Sequence, residues 1–246
     1  MKPVILSKRL QMLADMVSDG NRLVDVGCDH GFLSIWLVQQ GKCPRALAMD
    51  VRRGPLAAAQ SHVEETGLDD YIETRLSDGL KAYCGEEADT LVCAGMGGPL
   101  MEKILTDSME KAKSLKELIL QPQSEIREFR AFLKKSGFRI VAEDAVIDES
   151  KYYFAMKAVP ENAEPESDDI SVGKDNSEVQ KLYDTYGEFL LKQRHPVLCE
   201  YLKQRLAYVR GLEQSLAAAG SEKAYARIKE VQEELGELQE ALTYFG

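Results

Sequence analysis

The sequence lacks several features that would place it in common classes of protein. It has no apolar run long enough to cross a bilayer, so we expect no membrane association. Lys2, Lys8 and Arg9 interrupt the apolar residues at the start, so we expect no secretory leader. The five cysteines form no C-x-x-C pair, which argues against a disulfide framework or a zinc site. We therefore expect a cytoplasmic protein without a bound metal.

The sequence also lacks an excess of positive charge, since its formal net charge is −10. The charge is unevenly distributed, because residues 161–178 contain many acidic side chains and Lys174 alone as a base. In residues 181–210 basic side chains outnumber acidic ones, namely Lys181, Lys192, Arg194, Lys203, Arg205 and Arg210. A local basic surface can contact phosphates, so the overall charge does not exclude a polyanion. A solvated helix face explains the same pattern equally well.

Short apolar runs alternate with helical patterns through the first two thirds of the chain. Strands are predicted at 22–28, 45–50, 71–76, 89–94, 116–121, 138–147 and 152–159. Helices are predicted between them at 30–40, 53–66, 97–112 and 123–136, and an earlier one carries Leu6, Leu10, Leu13 and Val17. This alternation indicates βαβ units and a parallel sheet. A polar turn at 148–150 joins the last two strands, which predicts an antiparallel hairpin at the edge of the sheet. A seven-stranded α/β sheet of this kind looks like the class I methyltransferase fold.

The last third of the chain has a different pattern. Residues 160–180 are rich in Pro, Glu, Asp, Ser and Asn and indicate an acidic linker between a domain at 1–159 and a tail at 181–246. Two heptad-like helices follow, with Leu198, Leu202, Leu206, Val209, Leu212 and Leu216 in the first and Ala224, Ile228, Val231, Leu235, Leu238 and Leu242 in the second. Gly220 and Ser221 can end one helix and cap the next, which predicts an antiparallel helical hairpin or coiled coil. Packing of both helices against the main domain is the alternative.

A glycine loop at residues 25–31, the first glycine loop, joins the first predicted strand to the helix after it. Gly27 and Gly31 let the backbone approach a ligand, which the next helix N-terminus can face. A dinucleotide site would read G-x-G-x-x-G, but here Asp29 takes the place of the second glycine and would repel a pyrophosphate. Asp29 suits a ligand with an ammonium or sulfonium group, such as S-adenosylmethionine. An ordinary strand–turn–helix junction is the alternative.

Further candidate residues follow the other predicted strands, at the sheet edge where this fold binds ligands. Asp50 ends the second strand about 20 residues past the loop, the usual position of a ribose-hydroxyl acceptor. Asp78, with Gly79, follows the third strand and can accept from an adenine amine, although a plain turn explains it as well. The second glycine loop, residues 94–99, leaves room for a flat substrate or for the methionine part of the cofactor, and Met96 can pack on a base.

Several motifs together resemble the bacterial tRNA (adenine-22-N1)-methyltransferases over nearly the whole chain. They are Leu6-Ser7-Lys8-Arg9-Leu10, Asp29-His30-Gly31, Ala94-Gly95-Met96-Gly97-Gly98, Leu120-Gln121-Pro122, Tyr152-Tyr153 and Arg194-His195-Pro196. The resemblance implies a methyltransferase domain that uses S-adenosylmethionine, and a coiled-coil tail that helps to hold tRNA. We expect no obligate protein partner. The candidate cofactor-binding residues are Asp25, Gly27, Asp29, His30, Gly31, Asp50, Asp78, Gly79, Ala94, Gly95 and Met96. The candidate substrate-binding residues are Arg9, Gly97, Lys192, Arg194, Lys203, Arg205 and Arg210.

The chemistry of this reaction agrees with the motifs. Adenine N1 has an in-plane lone pair and no proton, so no general base is needed. Amine-modifying relatives often carry an N-P-P-Y-type loop after the fourth strand, and this chain does not. Asp29 is the candidate catalytic residue, as an anion near the positive charge that develops on the base. The alternative is that Asp29 binds only the ammonium group of the cofactor. His30 lines the same site or has a packing role.

The target adenine would have to leave the tRNA fold to reach this pocket. Two other functions remain open at the level of sequence. One is a small-molecule methyltransferase of the same fold, and the other is a non-catalytic binding module whose hairpin recruits a protein.

Overall fold

A computed structural model describes residues 3–161, 177–219 and 222–246. The chain divides into two compact units, residues 1–170 and 171–246. Most of the predicted acidic linker and the predicted cap at Gly220 and Ser221 lie outside the described residues. Within the described ranges, no helix is both long and apolar enough to span a membrane.

The first unit is built on one seven-stranded sheet. Its strands are β1 (Leu23–Val26), β2 (Ala46–Asp50), β3 (Ile72–Leu76), β4 (Thr90–Met96), β5 (Glu117–Pro122), β6 (Phe138–Asp148) and β7 (Lys151–Pro160). They lie in the order β3-β2-β1-β4-β5-β7-β6. The first five strands are parallel, and β7 pairs antiparallel with both β5 and β6. The predicted strands and edge hairpin are therefore confirmed.

Helices connect these strands on both faces of the sheet. They are α1 (Lys8–Met16), α2 (Phe32–Gln39), α3 (Arg53–Thr66), α4 (Gly98–Thr106), α5 (Met109–Lys113) and α6 (Ile126–Lys135). The helix predicted at 97–112 is two helices, which corrects that prediction. Ser108 leaves the helical region, with φ −141° and ψ 38°. Asp107 and Ser108 favour a helix end because their short polar side chains compete for backbone hydrogen bonds.

Two hydrophobic cores lie on opposite faces of the sheet. Alternate residues of one strand enter different cores, as Val24 packs with α4 and α6 while Leu23 packs with α1, α2 and α3. Because both faces are covered, β1 is buried along its whole length, as central parallel strands are. The result is a three-layer α/β/α sandwich.

The second unit is helical. Its elements are α7 (Ser177–Tyr186), α8 (Glu188–Lys192), α9 (Pro196–Ala219) and α10 (Glu222–Thr243). Arg205 of α9 contacts Glu234 of α10, and Glu213 contacts Gln232, so the two long helices run antiparallel. The predicted helical hairpin is confirmed, and α7 and α8 are additions that sequence analysis did not foresee. α7 begins at Ser177, inside the predicted linker.

The sheet topology indicates where a ligand would bind. The strand order reverses between β1 and β4, and in open α/β sheets ligands bind at the carboxyl ends of the strands at such a reversal. Both glycine loops leave the sheet at this point, one from each of the two strands.

Candidate functional site

The first glycine loop is fixed to the end of β2 by its backbone. The N–H groups of Gly27 and Cys28 both donate to the carbonyl of Met49, at 2.8 and 3.0 Å. Gly27 has φ 75° and Gly31, the N-cap of α2, has φ 73°, conformations that favour glycine. The loop therefore turns tightly and leaves the N-terminus of α2 facing the strand ends.

Asp50 is the buried acid of the site, at 4% exposure. One carboxylate oxygen accepts from the N–H of Arg52 at 2.7 Å, and the other accepts from the N–H of Asp29 at 3.4 Å. Its carbonyl accepts from the N–H of Ser77 at 3.0 Å, which ties the loop after β3 to the same place. Each carboxylate oxygen keeps a further lone pair for a ligand hydroxyl. Val51 follows directly and is 60% exposed, an apolar surface beside the acid that sequence analysis missed.

Asp29 stands at the surface of the first glycine loop. Its backbone is left-handed, with φ 52°, and its side chain is largely exposed. The carboxylate lies 3.9 Å from Nε2 of His30 and 3.8 Å from Nη2 of Arg52. Both distances are longer than hydrogen bonds, so the carboxylate can accept from a ligand.

Asp25 occupies a different environment, beneath the loop. It is buried in β1, where it accepts a hydrogen bond of 2.9 Å from the hydroxyl of Ser34. Burial raises the pKa of Asp25 to about 6, the Ser34 hydrogen bond offsets part of this, and the nearby charge of Asp50 adds to it. Its carboxyl group therefore ties β1 to α2, the two elements that the first glycine loop joins.

Asp78 and Gly79 lie in the loop after β3. Asp78 is exposed and pairs with Lys81, whose hydrogen bond lowers the pKa of the Asp78 carboxyl. Gly79 is left-handed, and a Cβ there would lie 3.0 Å from the side chain of Ile104. Asp78 is thus at the predicted sheet edge, with a cation already beside it.

The second glycine loop approaches the first through Met96. β4 continues beyond the predicted end at Ala94 as far as Met96, with an irregularity at Gly95, whose φ is 77°. The side chain of Met96 reaches across to Gly27, where a Cβ would lie only 2.1 Å from the Met96 methyl carbon. The loops from β1 and β4 therefore border one space, and glycine at 27 leaves room in it for the methyl group of Met96.

Arg9 lies on the far side of the second glycine loop. Its guanidinium donates to Oε1 of Gln121 at 3.2 Å and lies 5.6 Å from the ring centre of Tyr153. A Cβ on Gly95 would be 3.3 Å from the Arg9 guanidinium. Gly97, the N-cap of α4, would carry a Cβ 3.0 Å from the hydroxyl of Ser124. Motifs that are distant in the sequence thus line one edge of the space.

Three ring side chains lie together beside the first glycine loop, and sequence analysis singled out only one of them, His30. His30 and Phe32 stack with ring centres 5.8 Å apart, and Phe32 stacks on His62 at 4.8 Å. A hydrogen bond of 3.0 Å joins Nδ1 of His62 to the carbonyl of His30. Phe32 and His62 carry no local sequence pattern that distinguishes them from helix-packing residues.

The basic residues of the second unit divide into two groups. Arg205 pairs with Glu234 at 2.6 Å, which raises the pKa of Arg205, and Lys192 pairs with Glu188 at 2.7 Å. Lys181 likewise pairs with Glu237. Arg194, Lys203 and Arg210 have no ion pair among the residues that the structure describes. The cations available for phosphate are therefore fewer than the sequence indicates.

Comparison with known proteins places this arrangement in a family. Residues 6–156 match the methyltransferase domain model. The tRNA (adenine(22)-N(1))-methyltransferase of Bacillus subtilis is 30% identical over 245 residues, which cover 99% of this chain and 100% of the relative. The crystal structure of the B. subtilis m1A22 tRNA methyltransferase TrmK superposes with a TM-score of 0.80 at 29% identity, covering 97% of this chain and 99% of that one.

A further solved structure is similar to the same extent. It is Streptococcus pneumoniae Sp1610 in complex with S-adenosyl-L-methionine, with a TM-score of 0.80 and 30% identity over 97% of this chain and 100% of that one. The resemblance found in the motifs is confirmed over the full length. The chain belongs to the tRNA (adenine(22)-N(1))-methyltransferase family.

Proposed function

We propose that this protein transfers a methyl group from S-adenosylmethionine to N1 of adenine 22 in tRNA. The observation that carries the proposal is the meeting of the two glycine loops at the reversal between β1 and β4, in a chain that matches the family from end to end. The Streptococcus pneumoniae relative was crystallised with S-adenosyl-L-methionine, which supports the same cofactor here.

The residues at the carboxyl ends of β1, β2 and β3 suit this cofactor. Asp50 is buried, is oriented by two backbone N–H groups and can accept from ribose hydroxyls. Val51 offers an exposed apolar surface beside it for a nucleobase, and Asp78 can accept from the adenine amine. The first glycine loop can take the amino-acid end, because Asp29 provides an exposed carboxylate for its ammonium group.

The reaction needs alignment more than acid–base chemistry. When bound, the cofactor would supply a methyl group on a sulfonium. The lone pair of adenine N1 would form a bond to that carbon as the carbon–sulfur bond breaks and its electron pair returns to sulfur. Positive charge passes to the base, so a nearby carboxylate stabilises the transition state. Asp29 supplies this carboxylate, since His30 and Arg52 lie near it but too far for hydrogen bonds. The open backbone of the second glycine loop holds the flat base in line.

The tRNA requires a larger surface. Arg194, Lys203 and Arg210 provide cations for its phosphates, which would set affinity and position without reading sequence. The target adenine would leave the tRNA fold and enter the space beside Arg9 and Tyr153. We assign the reaction to the cytoplasm, where the five free cysteines stay reduced.

A methyl-transfer assay with two transcripts tests this function. The purified protein, labelled S-adenosylmethionine and a tRNA with adenine at position 22 should give labelled RNA, whereas the same tRNA with guanine at 22 should not. Labelling of both transcripts would refute the choice of adenine 22. Cofactor binding without any transfer to tRNA would favour a small-molecule methyltransferase, and no cofactor binding would favour a non-catalytic module.

A further inference from the structure

The loop after β5, residues 123–125, packs tightly against the second glycine loop. The N–H of Gln123 donates to the carbonyl of Met96 at 2.8 Å, and the N–H of Gly98 donates to the carbonyl of Ser124 at 3.1 Å. A Cβ on Gly98 would lie 2.7 Å from that Ser124 carbonyl oxygen. Because backbone hydrogen bonds hold it from both sides, the position of Gln123 is fixed relative to the site.

The side chain of Gln123 is exposed beside Gly95. A Cβ on Gly95 would be 3.8 Å from its Nε2 atom. Among the described residues its carboxamide has no hydrogen-bond partner. Gln121, two residues earlier, is different, because it is 1% exposed and uses its carboxamide to accept from Arg9 and to donate to the Pro122 carbonyl. Gln123 is therefore the glutamine at this edge that is available to a ligand.

We infer that Gln123 reads the target base as adenine, by accepting from its 6-amino group and donating to its N7. This inference rests on the proposed function. When N1 faces the cofactor, the edge that carries the 6-amino group and N7 remains free, and the side-chain amide of glutamine matches that edge with two hydrogen bonds. Guanine presents two acceptors there and cannot satisfy the amide oxygen.

The second glycine loop and Arg9 cannot replace it. The second glycine loop offers no side-chain amide or carboxylate of its own. Arg9 carries donors alone, so it cannot accept from the amino group. Gln123, which follows β5, thus supplies the hydrogen-bond acceptor that amine-modifying relatives carry in the loop after the fourth strand. Here the acceptor would orient a base that reacts at its ring nitrogen and not at its amino group.

The test uses tRNA with adenine or 7-deazaadenine at position 22, since the deaza base keeps N1 and the amino group but loses the N7 acceptor. The full-length protein is compared with Gln123→Ala and with Gln40→Ala, a control at the exposed C-cap of α2 on the opposite edge of the sheet. The measured quantity is kcat/KM. The deaza base can also change the intrinsic reactivity of N1. This change is the same for all the proteins tested, so it cancels when their ratios of kcat/KM on the two tRNAs are compared.

We expect Gln123→Ala to lower kcat/KM on adenine tRNA on the order of tenfold, within the range for a lost bidentate contact. The deaza base should lower kcat/KM severalfold more for the wild type and for Gln40→Ala than for Gln123→Ala. Relative to Gln123→Ala, Gln123→Glu should favour the deaza tRNA over the adenine tRNA in kcat/KM. The reason is that its carboxylate faces the N7 lone pair in adenine and a C–H in the deaza base.

An equal deaza penalty in the wild type and in Gln123→Ala would overturn the inference and leave the proposed function intact. A wild-type enzyme that does not methylate the adenine tRNA would overturn the proposed function itself. Unchanged kcat/KM in both Gln123 variants would likewise exclude a role in base recognition.

Discussion

Gly27 and Gly41 form a matched pair that isolates the role of the first glycine loop. Both are left-handed, with φ 75° and 69°. A Cβ on Gly41 would meet nothing within 4 Å, whereas a Cβ on Gly27 would lie 2.1 Å from the methyl carbon of Met96. Alanine at either position therefore carries the same backbone cost, and only Gly27→Ala also displaces Met96.

The magnitudes follow from this difference. A non-glycine residue in the left-handed region costs roughly 1–2 kcal/mol, so Gly41→Ala should lose about that much unfolding free energy. Gly27→Ala should lose at least as much, because it must also displace Met96. In Gly27→Ala the Met96 side chain moves in the space between the two glycine loops, which we expect to weaken S-adenosylmethionine binding about tenfold. At a cofactor concentration of ~100 times the wild-type Kd, stabilisation by the ligand would fall from about 2.7 to about 1.4 kcal/mol.

Thermal unfolding with and without cofactor measures both effects. At roughly 2–4 °C per kcal/mol, the cofactor should raise the Tm of Gly27→Ala by about 3–5 °C less than it raises that of the wild type. Gly41→Ala should have a lower Tm than the wild type but an unchanged cofactor-induced rise. If the cofactor raises the Tm of Gly27→Ala as much as that of Gly41→Ala, the first glycine loop does not hold the cofactor.

Four further changes test individual residues. Asp50→Ala should weaken S-adenosylmethionine binding by about 1.5–3 kcal/mol because a charge-assisted hydrogen bond is lost, and unchanged affinity in calorimetry would refute its role. Asp29→Asn should lower kcat more than it lowers cofactor affinity, and equal losses would leave it a binding residue alone. Burial raises the pKa of Asp25 to about 6 from 3.8, so the folded state binds this proton more tightly than the unfolded state does. The free energy of unfolding therefore falls as the pH rises from about 4 through about 6. Asp25→Asn should then gain stability relative to the wild type above this range and not below it, and a pH-independent difference in unfolding free energy would contradict the assignment. Replacing both Lys203 and Arg210 with glutamate should lower tRNA affinity and leave cofactor affinity unchanged. The salt dependence of tRNA affinity should fall by about two phosphate contacts, and an unchanged salt dependence would exclude these two residues from tRNA binding.

The centre of the sheet could be predicted from sequence because β1, β2, β4 and β5 are short, mainly apolar runs between turn residues. Buried parallel strands have this pattern whatever their neighbours are. The prediction of a single helix at 97–112 was wrong because the apolar spacing continues past Asp107 and Ser108, whereas the backbone of Ser108 leaves the helical region. The helices α7 and α8 were not foreseen, since each is short and carries no extended heptad pattern.

The position of the two glycine loops and Asp50 at the carboxyl ends of the strands was predictable, because each directly follows a predicted strand. Their role in binding stays a prediction. The site was not predictable where the neighbours come from distant segments. The contact of Met96 with Gly27 and the exposure of Gln123 depend on the register of β4 against β1 and β5. The same holds for the basic tail, where Arg205 is paired by Glu234 on another helix.

The most direct test of the central claim is the position and chemistry of the methyl group. tRNA treated with the purified protein and S-adenosylmethionine would be analysed by primer extension, which a methyl group on adenine N1 blocks, and by mass spectrometry of the digested nucleosides. We predict one new block at position 22 and one new nucleoside, 1-methyladenosine. A block at another position, a methyl group on the 6-amino nitrogen, or no modification of tRNA would contradict the account.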